Sequence, residues 1–285
     1  VAKINIYYPD NGVGVSSEAK LTSDLLKEYY QCNFVTQFNN VLIPKSDIGI
    51  FIQSWDSSLL ENNKINILSC CEEWLFSFQK DQLKDFDYVL CRSKYAQNIL
   101  SEYCNAVLFY SWSSDMFSSG SAGFNQMLHL KGKSIQKNTE ILYGIDNLNI
   151  LSGGNLSLQD LQRQMNKSCI HLCPSLYESH GHYFYEALSC DKHVICSRIP
   201  VWEETIDPDY VDFLDIIEQC RYKEGYEFLK ESFAEYYLCR KGFFVDRNQL
   251  IEKIKYPKKT KSTRNYTLDL FETNKRKFLA FIKSL

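Results

Sequence analysis

No apolar stretch in the chain reaches the roughly 18 consecutive residues needed to span a bilayer, and no two cysteines stand at C-x-x-C spacing. Positive charge is not in excess either. The 32 Lys+Arg against 35 Asp+Glu leave a net charge of -3, so no overall basic field exists to grip nucleic acid. The start, VAKINIYYPD, reads as a strand and not as a signal peptide, and its lack of a leading Met reads as processing or a truncated start. These absences exclude a nucleic-acid binder and argue against a secreted or integral membrane protein. The 11 cysteines are an odd number in a chain too long for a disulfide-stapled miniprotein, so they read as buried free thiols in a reducing, cytoplasmic compartment. Cys169, His171 and Cys173 share one strand face, but about 13 Å between the outer two is too wide for one zinc, and no metal site is expected. There is no internal repeat and no low-complexity tract. What is present is ordinary for a globular protein: 45% hydrophobic and 24% charged residues in 285, enough for about two domains of roughly 150 residues.

The order of segments points to α/β architecture. Strand-like runs at KINIYY (3–8), NFVTQF (33–38), DIGIFIQ (47–53), KINILSC (64–70), DYVLC (87–91) and AVLFYS (106–111) alternate with helix-like ones. Ser16 or Ser17 is placed to cap a first helix carrying Leu21, Leu25 and Leu26, and SKYAQNILSEY (93–103) is amphipathic at helical period. Such alternation predicts a parallel sheet covered on both faces. SSGSAGF (118–124) is the most linker-like stretch. After it the alternation restarts with QMLHL, a helix from about Lys137, NLNIL, a helix over 157–167, CIHLC, a helix after Gly181, HVICS and DFLDI. The predicted division is a Rossmann-like domain over 1–117, a linker at 118–125 and a second, shortened Rossmann-like domain over 126–265. Residues 222–238 and 266–285 read as long amphipathic helices. Between them, 251–264 carries six basic residues and one acidic one, read as a solvated linker or as a contact to an acceptor or a membrane surface. Two doubly wound domains present a cleft at the carboxyl ends of their strands, where open α/β sheets bind ligands.

The chemistry concentrates in HLCPSLYESHGHYFYEALSCDKHVI (171–195). A strand ends at Cys173, a loop comes next, and a helix opens near Gly181. Free N–H groups at such a helix start suit a phosphate or a sugar hydroxyl, and Gly181 lets a ligand approach the backbone. Glu178 lies in the loop and Glu186 on the helix, eight positions later. Taken alone, the two read as solvated helix-end and helix-face residues. Other signatures fail. G-K-S at 132–134 needs a Gly at 127 for a P-loop, where Met127 stands. Gly12 and Gly14 begin a dinucleotide fingerprint whose third glycine falls on Ser17. Two facing carboxyls, as in a glycosidase, do not fit a loop-then-helix placement. Neither G-x-S-x-G nor HExxH occurs.

The segment PSLYESHGHYFYEALSCDKHVI resembles the donor-binding signature of GT-B glycosyltransferases, in particular retaining family 4: P-S-x-x-E-G-x-G-x-x-x-x-E-A-x-A-x-G-x-P-V-I. Pro174, Ser175, Glu178, Gly181, Glu186 and Ala187 match. Ser179 stands where the family usually has Gly, and Asp191 replaces another Gly. LHLKGKSIQKNTEIL (128–142) is similar to the first strand of the family's second domain and the turn after that strand. Lys133 and Lys137 are then the pyrophosphate ligands, with Lys131 as an alternative, and Asn138 replaces the usual Gly. DNGVGVSSEAKLTSDLL resembles the family's Gly-rich loop and first helix, which implies a cleft position for Gly12 and Gly14. CCEEWL and YVLCRSKYA resemble segments of a subgroup reading N-x-E-W and C-K-T-x-x-A, which puts Glu73, Trp74 and Arg92 on the acceptor side, with Cys71 in place of Asn.

The resemblance implies a metal-independent, retaining hexosyltransferase that uses a UDP- or GDP-linked sugar as substrate and needs no cofactor. Its acceptor is a hydroxyl on a glycan, glycolipid or protein. Charge growing on the leaving phosphate would be stabilised by Lys133, Lys137 and the amides around 180–183. Glu178 would position the transferring sugar, Glu186 would hold the ribose, and Ser179, His182 and Tyr183 would line the donor. The last helix would pack back on the first domain. A catalytically inactive GT-B protein that binds a nucleotide or glycan, or a nucleotide-sugar epimerase, are the competing readings.

Overall fold

The computed structural model describes residues 2–10, 14–36, 43–115, 126–132, 135–152, 156–220, 239 and 242–285. Gly12, Lys133, the expected linker 118–125 and the expected helix 222–238 lie outside them. The chain forms two compact units. One lies within Val1–Ser111, Glu235–Cys239 and Thr273–Leu285, the other within Trp112–Ala234 and Arg240–Glu272. Trp112–Asp115, expected in the first domain, therefore belong to the second.

In the first unit, β1 (Lys3–Tyr7), β2 (Gln31–Val35), β3 (Ser46–Ile52), β4 (Asn63–Ser69), β5 (Tyr88–Cys91) and β6 (Ala106–Leu108) form a parallel sheet of order β2-β1-β3-β4-β5-β6. Strands covered on both faces need apolar residues at consecutive positions. Accordingly Ile4, Ile6, Tyr7, Ile50, Phe51, Ile67 and Leu68 are all buried, and Tyr7 stacks on Phe51 with ring centroids 4.2 Å apart. Helix α1 (Gly14–Leu26) starts before both serines expected to cap it. Ser16 instead donates to Asp10 at 2.7 Å from inside the first turn. Helix α2 (Lys94–Leu100) is capped by Ser93, whose hydroxyl accepts from the Ala96 N–H at 3.1 Å.

The second unit repeats the plan. β7 (Met127–Lys131), β8 (Leu148–Ser152), β9 (Ile170–Cys173), β10 (His193–Ser197) and β11 (Asp212–Leu214) form a parallel sheet of order β11-β10-β9-β7-β8. Read from β8, that is the order of the first five strands of the other sheet. Its core joins Met127, Leu142, Leu172, Ile195, Leu214, Val245 and Leu250. Helices α3 (Leu158–Lys167), α4 (His182–Ser189), α5 (Pro200–Thr205) and α6 (Arg247–Lys255) follow in chain order. The helix expected from Lys137 is replaced by two 3₁₀ turns, Ile135–Lys137 and Thr139–Leu142. Between them Asn138 adopts a left-handed conformation (φ 51°) that interrupts helical propagation. The run DFLDI is split. After β11 the chain leaves the parallel sheet at Asp215, and β12 (Ile216–Cys220) pairs antiparallel with β13 (Gly242–Val245).

The last helix, α7 (Arg264–Ser284), is continuous across the unit boundary in the chain. Within the first unit its Phe278 and Phe281 rings meet Phe109 and Tyr88 at 5.0 and 5.2 Å between centroids. The basic stretch before it is largely tied to its own surface. Lys253 pairs with Asp212 at 2.7 Å, Lys261 with Asp209 at 2.7 Å, and Lys258 Nζ donates to the Pro208 carbonyl at 2.8 Å. Among the described residues no helix is long and apolar enough to cross a membrane.

Candidate functional site

In the strand order of the second unit, β7 is flanked by β8 on one side and β9 on the other. Connections leaving β7 and β9 therefore depart in opposite directions, opening a crevice beyond the carboxyl ends of the two strands, where doubly wound sheets take ligands. Lys131–Gly132 lead out of β7 and Pro174–Gly181 out of β9. The segment carrying Glu178 and Gly181 occupies this point.

The two connections are stitched together. The Leu176 N–H donates to the Gln136 carbonyl at 2.7 Å. His129, buried on β7, sits with Nδ1 2.9 Å from the Leu172 carbonyl and Nε2 2.9 Å from Thr139 Oγ1. Burial, with the nearby Lys137 charge, pushes its pKa down to about 4, so the ring is neutral, donates from Nδ1 and accepts the threonine proton at Nε2. This anchors the Thr139–Leu142 turn and with it Lys137, whose aliphatic chain passes Gly132 so closely that a Cβ there would lie 3.1 Å from Lys137 Cγ. Lys137 Nζ reaches Glu178 Oε1 at 2.5 Å, and the Ser175 hydroxyl donates to the same oxygen at 3.0 Å.

Glu186, on α4, is partly exposed, yet the protein packed around it withdraws much of its solvation. Burial pushes its pKa up to about 7, against the opposing effect of the Lys137 charge. One cation thus serves two carboxyls: it binds Glu178 directly and acts on Glu186 through space.

Helix α4 starts on Gly181, which has φ 80° and stands against the Trp202 indole. A Cβ at 181 would lie 2.9 Å from Trp202 Cζ2, so both the backbone conformation and the space require glycine. Trp202 Nε1 donates to the His180 carbonyl at 2.8 Å and its ring stacks on Phe184 at 4.3 Å. His180 is buried and stacked on Tyr185, with centroids 4.5 Å apart. Ser113 Oγ lies 2.9 Å from His180 Nε2 and 2.9 Å from His182 Nδ1. Neither Ser113 nor His180 was legible as a site residue. Ser113 stands far from the motif in sequence, and His180 occupies a position the family pattern leaves open.

Four expected site residues are buried. The Tyr183 side chain turns inward from α4, its hydroxyl donating to the Leu128 carbonyl at 2.7 Å and lying 3.0 Å from His171 Nδ1. Glu73 and Arg92, carried over as facing an acceptor, are buried in the first unit, while Trp74 beside them is half-buried. The Arg92 guanidinium pairs with Glu18, and its backbone N–H donates to Glu72 Oε1 at 2.9 Å. Arg92 completes a buried polar cluster with Glu18, Ser69 and Glu72. Ser179 is also buried. Gly14 is the first residue of α1.

The replaced glycines have a local explanation. Asn138 and Asp191 both hold left-handed backbone (φ 51° and 59°), the conformation that Asn and Asp tolerate best after glycine. Asp191 Oδ1 accepts from Ser262 Oγ at 2.8 Å and from the Thr263 N–H at 2.7 Å. Partial burial would raise its pKa, but these hydrogen bonds, with that from the Arg264 N–H, hold it below the ordinary value. Asp191 thus caps the start of α7 while preserving the turn that glycine would make.

No family model matches the chain, and no curated protein matches it in sequence. Solved structures do match. Sucrose-phosphate synthase from Thermosynechococcus elongatus superposes with a TM-score of 0.68 at 11% identity, over 100% of this chain and 99% of that one. A trehalose-6-phosphate synthase gives 0.65 at 7% identity, over 100% and 99%. Anabaena HepE in complex with UDP and glucose gives 0.61 at 12% identity, over 100% of both chains. At such identities the likeness speaks for the fold: two Rossmann-like α/β units of the GT-B kind.

Proposed function

We propose that this chain is a GT-B hexosyltransferase that moves a sugar from a nucleotide-diphosphate donor to an acceptor hydroxyl, with retention and without a metal. The observation that carries the reading is the convergence of Lys137, Glu178 and Glu186 beyond the carboxyl ends of β7 and β9, beside the left-handed start of α4. Structures of similar fold include complexes with UDP and with UDP-glucose, which favours a UDP-linked hexose as the first donor to test.

In this reading the diphosphate lies at the start of α4, where the helix dipole favours negative charge. Lys137 adds a cation, exchanging part of its contact with Glu178 for the phosphate as charge grows on the leaving group. Glu178, held by Lys137 and Ser175, faces the transferring sugar. Glu186 accepts hydrogen bonds from the two ribose hydroxyls. The acceptor attacks from the face on which the phosphate departs, and the phosphate oxygen takes its proton, which preserves anomeric configuration. Lys133 and Gly12, outside the described residues, are further donor contacts in this reading, as is Gly14 at the start of α1.

The test is a thermal-shift screen against UDP-, GDP- and ADP-glucose, followed by analysis of hydrolysis and transfer products in the presence of EDTA. Ligand bound only by the native state raises the melting point. An α-configured product from an α-configured donor is the expected outcome. Binding without turnover would instead favour a nucleotide-sugar-binding protein, and interconversion of the donor sugar without an acceptor an epimerase.

A further inference from the structure

We propose that Ser113 is a positioning residue for the donor loop, clasping the histidines on either side of Gly181 and coupling the proton positions of their two rings. The inference rests on the donor reading above only in its effect on binding; the clasp itself stands on the geometry. Ser113 is 1% exposed and His180 3%, so the contact is shielded from water. Gly181, between the two rings, has the freest backbone of any residue type and needs external restraint to hold φ 80°. The Trp202 indole supplies one restraint through the His180 carbonyl, and Tyr185 another by stacking on the His180 ring. Ser113 supplies the third and reaches across to His182, the first residue of α4.

Proton counting gives the clasp its second property. A serine hydroxyl has one proton to donate and two lone pairs to accept with. With Ser113 Oγ 2.9 Å from both His180 Nε2 and His182 Nδ1, those two nitrogens are not both bare. If Ser113 donates to His180, His182 brings its proton on Nδ1. If Ser113 donates to His182 Nδ1, a neutral His182 carries its proton on Nε2, and His180 carries one on its own Nε2. A phosphate only accepts hydrogen bonds, so an anion at the start of α4 favours the arrangement with the Nε2 proton on His182. Donor binding and the tautomer of buried His180 are thereby linked through one hydroxyl. Ser113 also lies two residues past Ser111, the end of the first unit's opening segment, so the clasp fastens the chain entering the second unit to the loop that would hold the donor.

Ring-nitrogen NMR of the apoprotein tests the clasp without any substitution. At pH 8, at least one of His180 Nε2 and His182 Nδ1 is expected to be protonated, and added UDP-glucose is expected to move His182 toward the Nε2–H tautomer. Finding both nitrogens bare in the apoprotein overturns the clasp. In binding titrations Ser113→Ala is expected to weaken UDP-glucose about tenfold, the scale of one hydrogen bond, while Ser113→Thr, which keeps the hydroxyl, stays within about threefold of the parent. Equal affinity of the alanine variant and the parent overturns the positioning role. If the parent protein binds none of UDP-, GDP- or ADP-glucose, the donor reading falls and the effect on binding falls with it, while the apoprotein spectra still decide the clasp.

Discussion

The raised pKa of Glu186 makes donor binding depend on pH in a calculable way. A carboxylate accepts hydrogen bonds from two ribose hydroxyls, whereas its protonated form gives up one accepting position. With a pKa of about 7 in the empty site, binding to the ionised form competes with a proton. The apparent dissociation constant then scales as one plus ten to the power of pKa minus pH. That factor is about 11 at pH 6, 2 at pH 7 and close to 1 at pH 8, so affinity falls about tenfold, or ~1.4 kcal/mol, from pH 8 to pH 6. The donor does not confuse the measurement, because a sugar-capped diphosphate lacks the second phosphate ionisation of a free nucleoside diphosphate. UDP-glucose itself is therefore the ligand to use. Isothermal titration at half-unit steps from pH 6 to pH 8, in parent and Glu186→Gln, gives the two curves. The glutamine variant is expected to bind about tenfold or more weakly at pH 8 and to lose the slope. A flat parent curve refutes the argument. So does a slope that survives in Glu186→Gln.

Three further outcomes are expected from the geometry. Lys137→Met removes the cation shared by Glu178 and Glu186 and is expected to lower kcat by about a hundredfold or more, with a smaller change in KM, measured as donor hydrolysis or transfer. Gly181→Ala combines a left-handed backbone with a Cβ 2.9 Å from Trp202, so urea unfolding should show a loss of about 2 kcal/mol or more, and a variant as stable as the parent would contradict the placement of the indole. Burial, with Glu73 close by, pushes the Glu72 pKa up to about 8 in the folded first unit. The folded state then holds a proton that the unfolded state releases near pH 4.5, so stability is full below that value and falls as pH rises toward 8. Glu72→Gln, which keeps an oxygen for the Arg92 N–H, is expected to flatten this dependence and to be more stable than the parent at pH 8.5 by a few kcal/mol, measured by denaturant titration at pH 5 and 8.5.

The sequence by itself determined the succession of elements and the location of the chemistry. Runs rich in β-branched and aromatic residues, such as those in β1, β3 and β4, marked those strands to within about one residue at each end. The eight-residue step from Glu178 to Glu186 placed one carboxyl in a loop and the other on a helix, and the structure has that arrangement. Local pattern failed where backbone conformation turned on one residue: Asn138, left-handed, broke the helix expected at Lys137 into two turns. Only the tertiary structure decided which polar groups meet. Lys137 and Glu178 are 41 positions apart, Ser113 and His180 67, Arg92 and Glu18 74. Periodicity tells whether a side chain faces in or out of its own element, never which distant partner waits there. Arg92 and Tyr183 carried the residue types of a binding site, but a charge that finds Glu18 and a hydroxyl that finds the Leu128 carbonyl are cheaper to bury than to leave unpaired, and that choice is made only when the strands come together.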